Sequence, residues 1–94
     1  MDDQKPFEFG QRILTEVAGA EARLSRLTPM QRKVMEMLSD GMPQREVARK
    51  HQISVKTIEK HRSHALLGLD LPTTLDGIKL IWLARLKRQV HSTN

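Results

Sequence analysis

Residues 53–67 read ISVKTIEKHRSHALL, and the fold turns on how that stretch is taken. Ser54 suits a helix N-cap, because its hydroxyl can accept from an orphan backbone N–H one turn on. The spacing behind it predicts a helix over 54–67. At about 100° per residue, Ile58, Ala65 and Leu69 share one face, with His61 and Leu66 at its edges. Lys56, Lys60 and Ser63 point the opposite way, flanked by Glu59 and His64. An apolar back and a basic, hydrogen-bonding front suit the major groove of DNA. They equally suit an ordinary amphipathic helix with a solvated charged face. The stretch alone does not choose.

Two helical segments precede it. Leu27-Thr28-Pro29-Met30-Gln31 is a strong helix start. Thr28 is the N-cap, Pro29 sits at N1 where its missing N–H costs nothing, and Gln31 at N3 closes a capping box. This helix is expected to reach about Ser39, where Asp40-Gly41 stops it. Leu27, Val34 and Leu38 read as inward, with Met30, Met35 and Met37 beside them. Pro43 then opens a short helix over 44–50 whose inward residues are Val47 and the small Ala48. His51-Gln52-Ile53 forms the turn into the basic helix. Three helices in this order, the last two short and closely joined, make a tri-helical helix-turn-helix pattern.

The flanks raise a packing question. Over 9–24, Phe9, Ile13, Val17, Ala20 and Leu24 form one helical stripe, with Arg12, Glu16 and Arg23 on the other side. That stripe must be covered by the domain itself, a second copy or another protein. A protein partner docking on Phe9, Ile13, Val17 and Leu24 is one expectation. After the basic helix, Leu69 and Leu71 anchor a loop to Pro72, and Thr73 or Thr74 caps a last helix to about Lys87. Leu75, Ile78, Ile81, Trp82 and Leu86 read as its inward face, but Leu80, Leu83 and Ala84 make the far side apolar too. A helix apolar on two sides wants two neighbours. A homodimer contact through Leu80, Leu83 and Ala84 is the sharper expectation, and cover by the N-terminal helix is the alternative.

The chain's 94 residues leave little room for an enclosed catalytic pocket. Three aromatic residues (Phe7, Phe9, Trp82) imply an aliphatic, methionine-rich core of packed helices. Without cysteine there is no disulfide framework or thiolate metal site. No apolar run approaches membrane-spanning length, and a soluble, cytoplasmic and nucleoid-associated protein is expected. The net charge of +5 is unevenly spread: four bases face five acids in 1–27, eight face four in 28–68, and four face two in 69–94. The positive charge gathers around the opening stretch, which points to a polyanionic partner. An acidic lipid surface would need a large apolar face of aromatics, which these helices lack.

With these segments in hand, residues 27–86 resemble the C-terminal DNA-binding domain of the LuxR/NarL/FixJ (GerE-type) transcription regulators. The family pattern begins L-T-x-x-E-x-x-V-L, continues G-x-(S/P)-N-K-E-I-A-x-x-L-x-I-S, and ends around T-V-(K/E)-x-H. This chain offers LTPMQRKVM, GMPQREVARKHQIS and VKTIEKHRSHALLGL in the same order. The resemblance implies an all-α fold, a four-helix helix-turn-helix domain, here preceded by an extra N-terminal amphipathic helix. It also implies base-edge contacts from Glu59, Lys60 and Ser63, and phosphate contacts from Lys56, Thr57, Arg45 and Arg62. Glu59 is tolerable near DNA if it accepts from a cytosine amino group, or if it pairs with Lys56 or Lys60. Arg62 falls near the inward face and needs a partner, with Gln31 or Glu46 as candidates. The chain departs from the pattern at Gln31, His51, Gln52 and Gly68. If Gln52 adopts positive φ where the family often has glycine, the cost is about 1 kcal/mol.

The organisation expected is a tail and amphipathic linker helix over 1–26, the DNA-binding domain over 27–87, and a polar tail over 88–94. Its partners would be double-stranded DNA and a second copy, with no membrane and no cofactor. Two other readings stand beside it: a sigma-factor region 4-like module of RNA polymerase, and a helical protein-interaction module with incidental basic charge. No enzymatic set appears. His61 and His64 lie one turn apart without a third metal ligand nearby, and no nucleophile–base pair or carboxylate pair is present. Regulators of this family carry an N-terminal receiver or ligand-binding domain, for which 94 residues leave no room. A stand-alone member or a fragment of a longer regulator is therefore expected.

Overall fold

The computed structural model describes residues 16–92, with side chains to residue 89, and every regular element among them is a helix. α1 is described over 16–24. It is followed by α2 (Pro29–Ser39), α3 (Gln44–His51), α4 (Val55–Leu69) and α5 (Thr74–Ser92).

The boundaries follow local chemistry. Thr28 Oγ1 accepts from the Gln31 N–H at 3.1 Å, and the Thr28 N–H donates to Gln31 Oε1 at 3.1 Å, so the capping box forms. Asp76 N–H donates to Thr73 Oγ1 at 3.2 Å, which settles Thr73 as the cap of α5. Three helices end the same way, with a left-handed residue just past the last turn: Gly41 at φ 84°, Gln52 at φ 58° and Asp70 at φ 57°. In each case the N–H of the next residue reaches back five positions, from Met42 to Met37, Ile53 to Ala48 and Leu71 to Leu66. α5 runs to Ser92 rather than stopping near Lys87. Nothing in Lys87-Arg88-Gln89 breaks a helix, and Arg88 reaches Glu21 on α1.

Two apolar clusters share α2 and α4. Val34 and Met37 of α2, Val47 and Ala48 of α3, and Ile58 of α4 form one, the core of the helix-turn-helix. Ala20 and Leu24 of α1, Leu27, Met35 of α2, Ala65 and Leu69 of α4, and Leu80, Ile81 and Ala84 of α5 form the other. α4 is thus fixed near its start by the first cluster and near its end by the second. Its expected seam of Ile58, Ala65 and Leu69 is fully buried.

α5 is the element whose facing differs from expectation. Leu80 and Ala84, expected at a dimer contact, are buried in the chain's own core with Ala20 and Leu24, and Leu83 packs against the same cluster. Leu75, Trp82 and Leu86, expected inward, are 56%, 54% and 42% exposed. The buried arc is centred on the small residues Gly77 and Ala84. A Cβ on Gly77 would meet Met35 Cε at 2.5 Å and Leu66 Cδ2 at 3.0 Å, so the side chains of α2 and α4 fill the space over this glycine. Apolar patterning ranks large residues first, whereas helix crossing selects small ones.

Covering the second face is the work of α1, as the alternative reading had it. Val17 and Leu24 are buried within the chain, so this half of the stripe is not open to a protein partner. Phe9 and Ile13 lie outside the described residues. Polar ties reinforce the packing. Arg32 of α2 bridges Glu21 of α1 at 2.9 Å and Glu36 at 3.1 Å. The Arg32 hydrogen bond holds the Glu21 carboxyl below its ordinary pKa, and the same contact raises that of Arg32. Arg85 of α5 binds Asp40 at 2.7 Å and the Glu36 carbonyl at 3.3 Å, clasping the C-terminal end of α2 where cations are favoured. No helix among the described residues is long and apolar enough to cross a membrane.

Candidate nucleic-acid interface

α4 presents the site because its back is used up in the two cores. Ser54 Oγ accepts from the Thr57 N–H at 3.1 Å and lies 2.9 Å from Thr57 Oγ1, which fixes the first turn. Beyond it, Lys56, Glu59, Lys60, Ser63 and His64 are exposed. Ser54, Lys56, Thr57, Glu59, Lys60, Arg62 and Ser63 line one open depression of about 550 Å³. Six of the seven residues expected at DNA are therefore brought together. The seventh, Arg45, is exposed on the first turn of α3 and does not line the depression.

The charges divide by role. Arg32, Arg85 and Arg88 are spent on ion pairs that tie helices together. Arg23 donates from α1 to the Leu69 carbonyl, supplying a cation at the end of α4, whose last turn has no basic residue of its own. Lys56 and Lys60 make no ion pair among the described residues, and neither do Arg45, Arg49 and Lys50 on α3. Glu59 does not pair with Lys56 or Lys60, which leaves its carboxylate able to accept from a base.

Arg62 differs from the others. Its Nη1 donates to Thr74 Oγ1 at the start of α5 at 3.4 Å, so the partner is neither Gln31 nor Glu46. Its buried Nε has no hydrogen-bond partner. The guanidinium sits at the rim, between the depression and α5. His51 at the end of α3 is half-buried, with Nε2 3.2 Å from Met37 Sδ, packed as a ring rather than offered at the surface. Gln52 does adopt positive φ in the turn before α4. The sequence-based face missed Leu67, which is 77% exposed and in line with Lys56 and Lys60. The same angular count would have found it, but a leucine beside Leu66 and Leu69 reads as core. Arg23 had no sequence signal, because its acceptor is a backbone carbonyl brought near by the fold.

The arrangement is a helix seated on two apolar cores with a basic, donor- and acceptor-bearing front. Residues 25–72, just over half of the chain, match the family described as bacterial regulatory proteins, luxR family. The nitrate/nitrite response regulator protein NarL of Escherichia coli K12 is 26% identical over 66 residues, which cover 70% of this chain and 30% of NarL. NarL of Escherichia coli O6:H1 (strain CFT073) matches to the same extent. The solved structure of full-length FixJ from B. japonicum superposes with a TM-score of 0.70 and 26% identity, covering 82% of this chain and 38% of that one. The chain spans less than half the length of these relatives. On the match over 25–72 and the fold it shares with FixJ, the chain belongs to the luxR family of bacterial regulatory proteins.

Proposed function

We propose that the chain acts as a sequence-specific regulator that binds double-stranded DNA and reads the major groove with α4. The observation that carries this is the exposed front of α4, whose lysines are unpaired among the described residues while its back is locked in two cores. Glu59, Lys60 and Ser63 face base edges, where a lysine reads guanine and a carboxylate reads a cytosine amino group. Lys56 and Thr57, in the first turn, meet phosphates, and Arg45 adds a contact from α3. Arg62 reaches a phosphate from the rim while its link to Thr74 keeps α4 and α5 in register. Phosphate contacts position the protein and base contacts specify the site.

Two copies bind one site. Leu80 and Ala84 are committed to the core, so the pairing surface on α5 is the exposed stripe of Leu75, Trp82 and Leu86. Half-sites with dyad symmetry would then lie about one helical turn apart. Selection of bound duplexes from random DNA tests this reading. Enrichment of a palindrome is the expected result. Recovery of unenriched sequences would refute specific reading and favour a protein-interaction module using the same apolar stripe.

A further inference from the structure

The reading face of α4 does not stop at Ser63. A straight helix turns positions n, n+3, n+4 and n+7 toward a groove, the spacing through which a homeodomain's reading helix touches bases. Counted from Lys60, those positions are Ser63, His64 and Leu67, and all four side chains are exposed. Leu67 is the most exposed large apolar side chain among the described residues, at 77%. Its outward direction is set by Ala65 and Leu69, both fully buried on the opposite side of the helix.

The last turn of α4 carries no basic residue, and Asp70 just beyond it is an exposed acid. This end of the helix has no side chain of its own that can hold a phosphate. What it offers the groove is a branched aliphatic group, and the apolar feature of a base edge in the major groove is the thymine 5-methyl.

Resting on the proposal that α4 reads the major groove, we infer that Leu67 is a specificity-determining residue that packs on a thymine methyl. Lys60 and Leu67 are seven residues apart, roughly 10 Å along the helix axis. The major groove runs obliquely to the duplex axis, so at about 3.4 Å per base pair that separation sets the thymine within about three base pairs of the pair read by Lys60. His64, between them on the same face, can donate to or accept from the intervening edges.

The test uses the full chain and its selected site, with each thymine replaced in turn by deoxyuridine, which lacks only the methyl group. At one position in each half-site, within about three base pairs of the Lys60 contact, affinity should fall about fourfold, the factor expected for one buried methyl-sized group. Leu67→Ala should bind the thymine and deoxyuridine sites equally at that position while keeping its preferences elsewhere. Leu67→Met, which retains an apolar reach, should restore the discrimination. Unchanged thermal stability of both variants is expected for so exposed a residue. Wild-type indifference to every deoxyuridine, or discrimination that persists in Leu67→Ala, would overturn the assignment. So would a uniform loss on all sequences, or Leu67→Ala binding like wild type throughout, which would give the leucine to a protein contact beside Leu71 and Pro72. Failure to select any site is a distinct result, which removes the groove-reading proposal and this assignment with it.

Discussion

The turn that launches α4 contains a built-in flaw whose repair can be measured. Gln52 sits at φ 58°, ψ 40°, in the left-handed region, with its side chain exposed. Such a conformation costs an L-residue about 1–2 kcal/mol. Glycine removes that cost, but it gives back about 0.5–1 kcal/mol through the greater freedom of the unfolded chain. Gln52→Gly should therefore stabilise the domain by about 0.5–1 kcal/mol. Gly41 supplies the mirror experiment, since it occupies the equivalent position after α2 at φ 84°, and an added Cβ there would meet nothing within 4 Å. Gly41→Ala should lose about as much, through backbone strain alone. Urea denaturation followed by circular dichroism measures both, and a change of 1 kcal/mol moves the melting temperature of a domain this size by about 4–8 °C. Loss of stability in Gln52→Gly, or no loss in Gly41→Ala, would refute the view that these two turns share one geometry and differ only in the residue placed there.

Three further perturbations probe the packing of α1 and α5. Leu24→Ala deletes a side chain 1% exposed between α1 and α5, and should cost about 2–5 kcal/mol in the same denaturation assay. A cost below about 1 kcal/mol would mean that α1 is not part of the domain's core. The Glu21 carboxyl is held below its ordinary pKa, first by the Arg32 hydrogen bond and further by Arg32 and Arg88 charge. Its stabilising contribution is thus present above pH about 4.5 and lost as pH falls through the lowered folded value. Its partial exposure limits the effect to less than about 1 kcal/mol. Glu21→Gln should flatten the acid limb of the stability–pH curve, and an unchanged limb would show that the Arg32–Glu21–Arg88 cluster contributes nothing. Gly77→Ala gains about 1 kcal/mol of helix propensity, yet its Cβ would fall 2.5 Å from the buried Met35 Cε. With Met35 fully buried, overpacking of about 1–3 kcal/mol should outweigh that gain, and a stabilised variant would show that the Met35 side chain moves aside at little cost.

Much of this architecture was legible in the chain because local rules agreed with one another. The capping box at Thr28 and Gln31, the Ser54 cap and the Ile58-Ala65-Leu69 seam each follow from residue type and helical spacing, and all are present. The strained turn at Gln52 was readable from the family resemblance, since the pattern often has glycine where this chain has Gln52. α5 was not readable in the same way. Its apolar residues go round two sides, so spacing gave two candidate faces. The choice between them was made by the Met35 and Leu66 side chains packed over Gly77 and by cover from α1, both long-range effects. The candidate site was legible where it depended on one helix, at Lys56, Thr57, Glu59, Lys60 and Ser63. It was illegible where helices meet, as with Arg23 on the Leu69 carbonyl and Arg62 on Thr74. Leu67 was legible by angular count alone, but a leucine beside Leu66 and Leu69 reads as core.

The proposed division of labour along the front of α4 is tested most directly by comparing two lysine variants. Binding of wild type, Lys56→Ala and Lys60→Ala to the selected site and to random duplex should be measured across a salt series. Lys56→Ala is predicted to weaken both DNAs alike and to lower the slope of log affinity against log salt by about 1. Lys60→Ala is predicted to lose about 1–3 kcal/mol on the selected site while losing much less on random DNA, so that the preference between them shrinks. Equal losses on both DNAs for both variants would contradict that division.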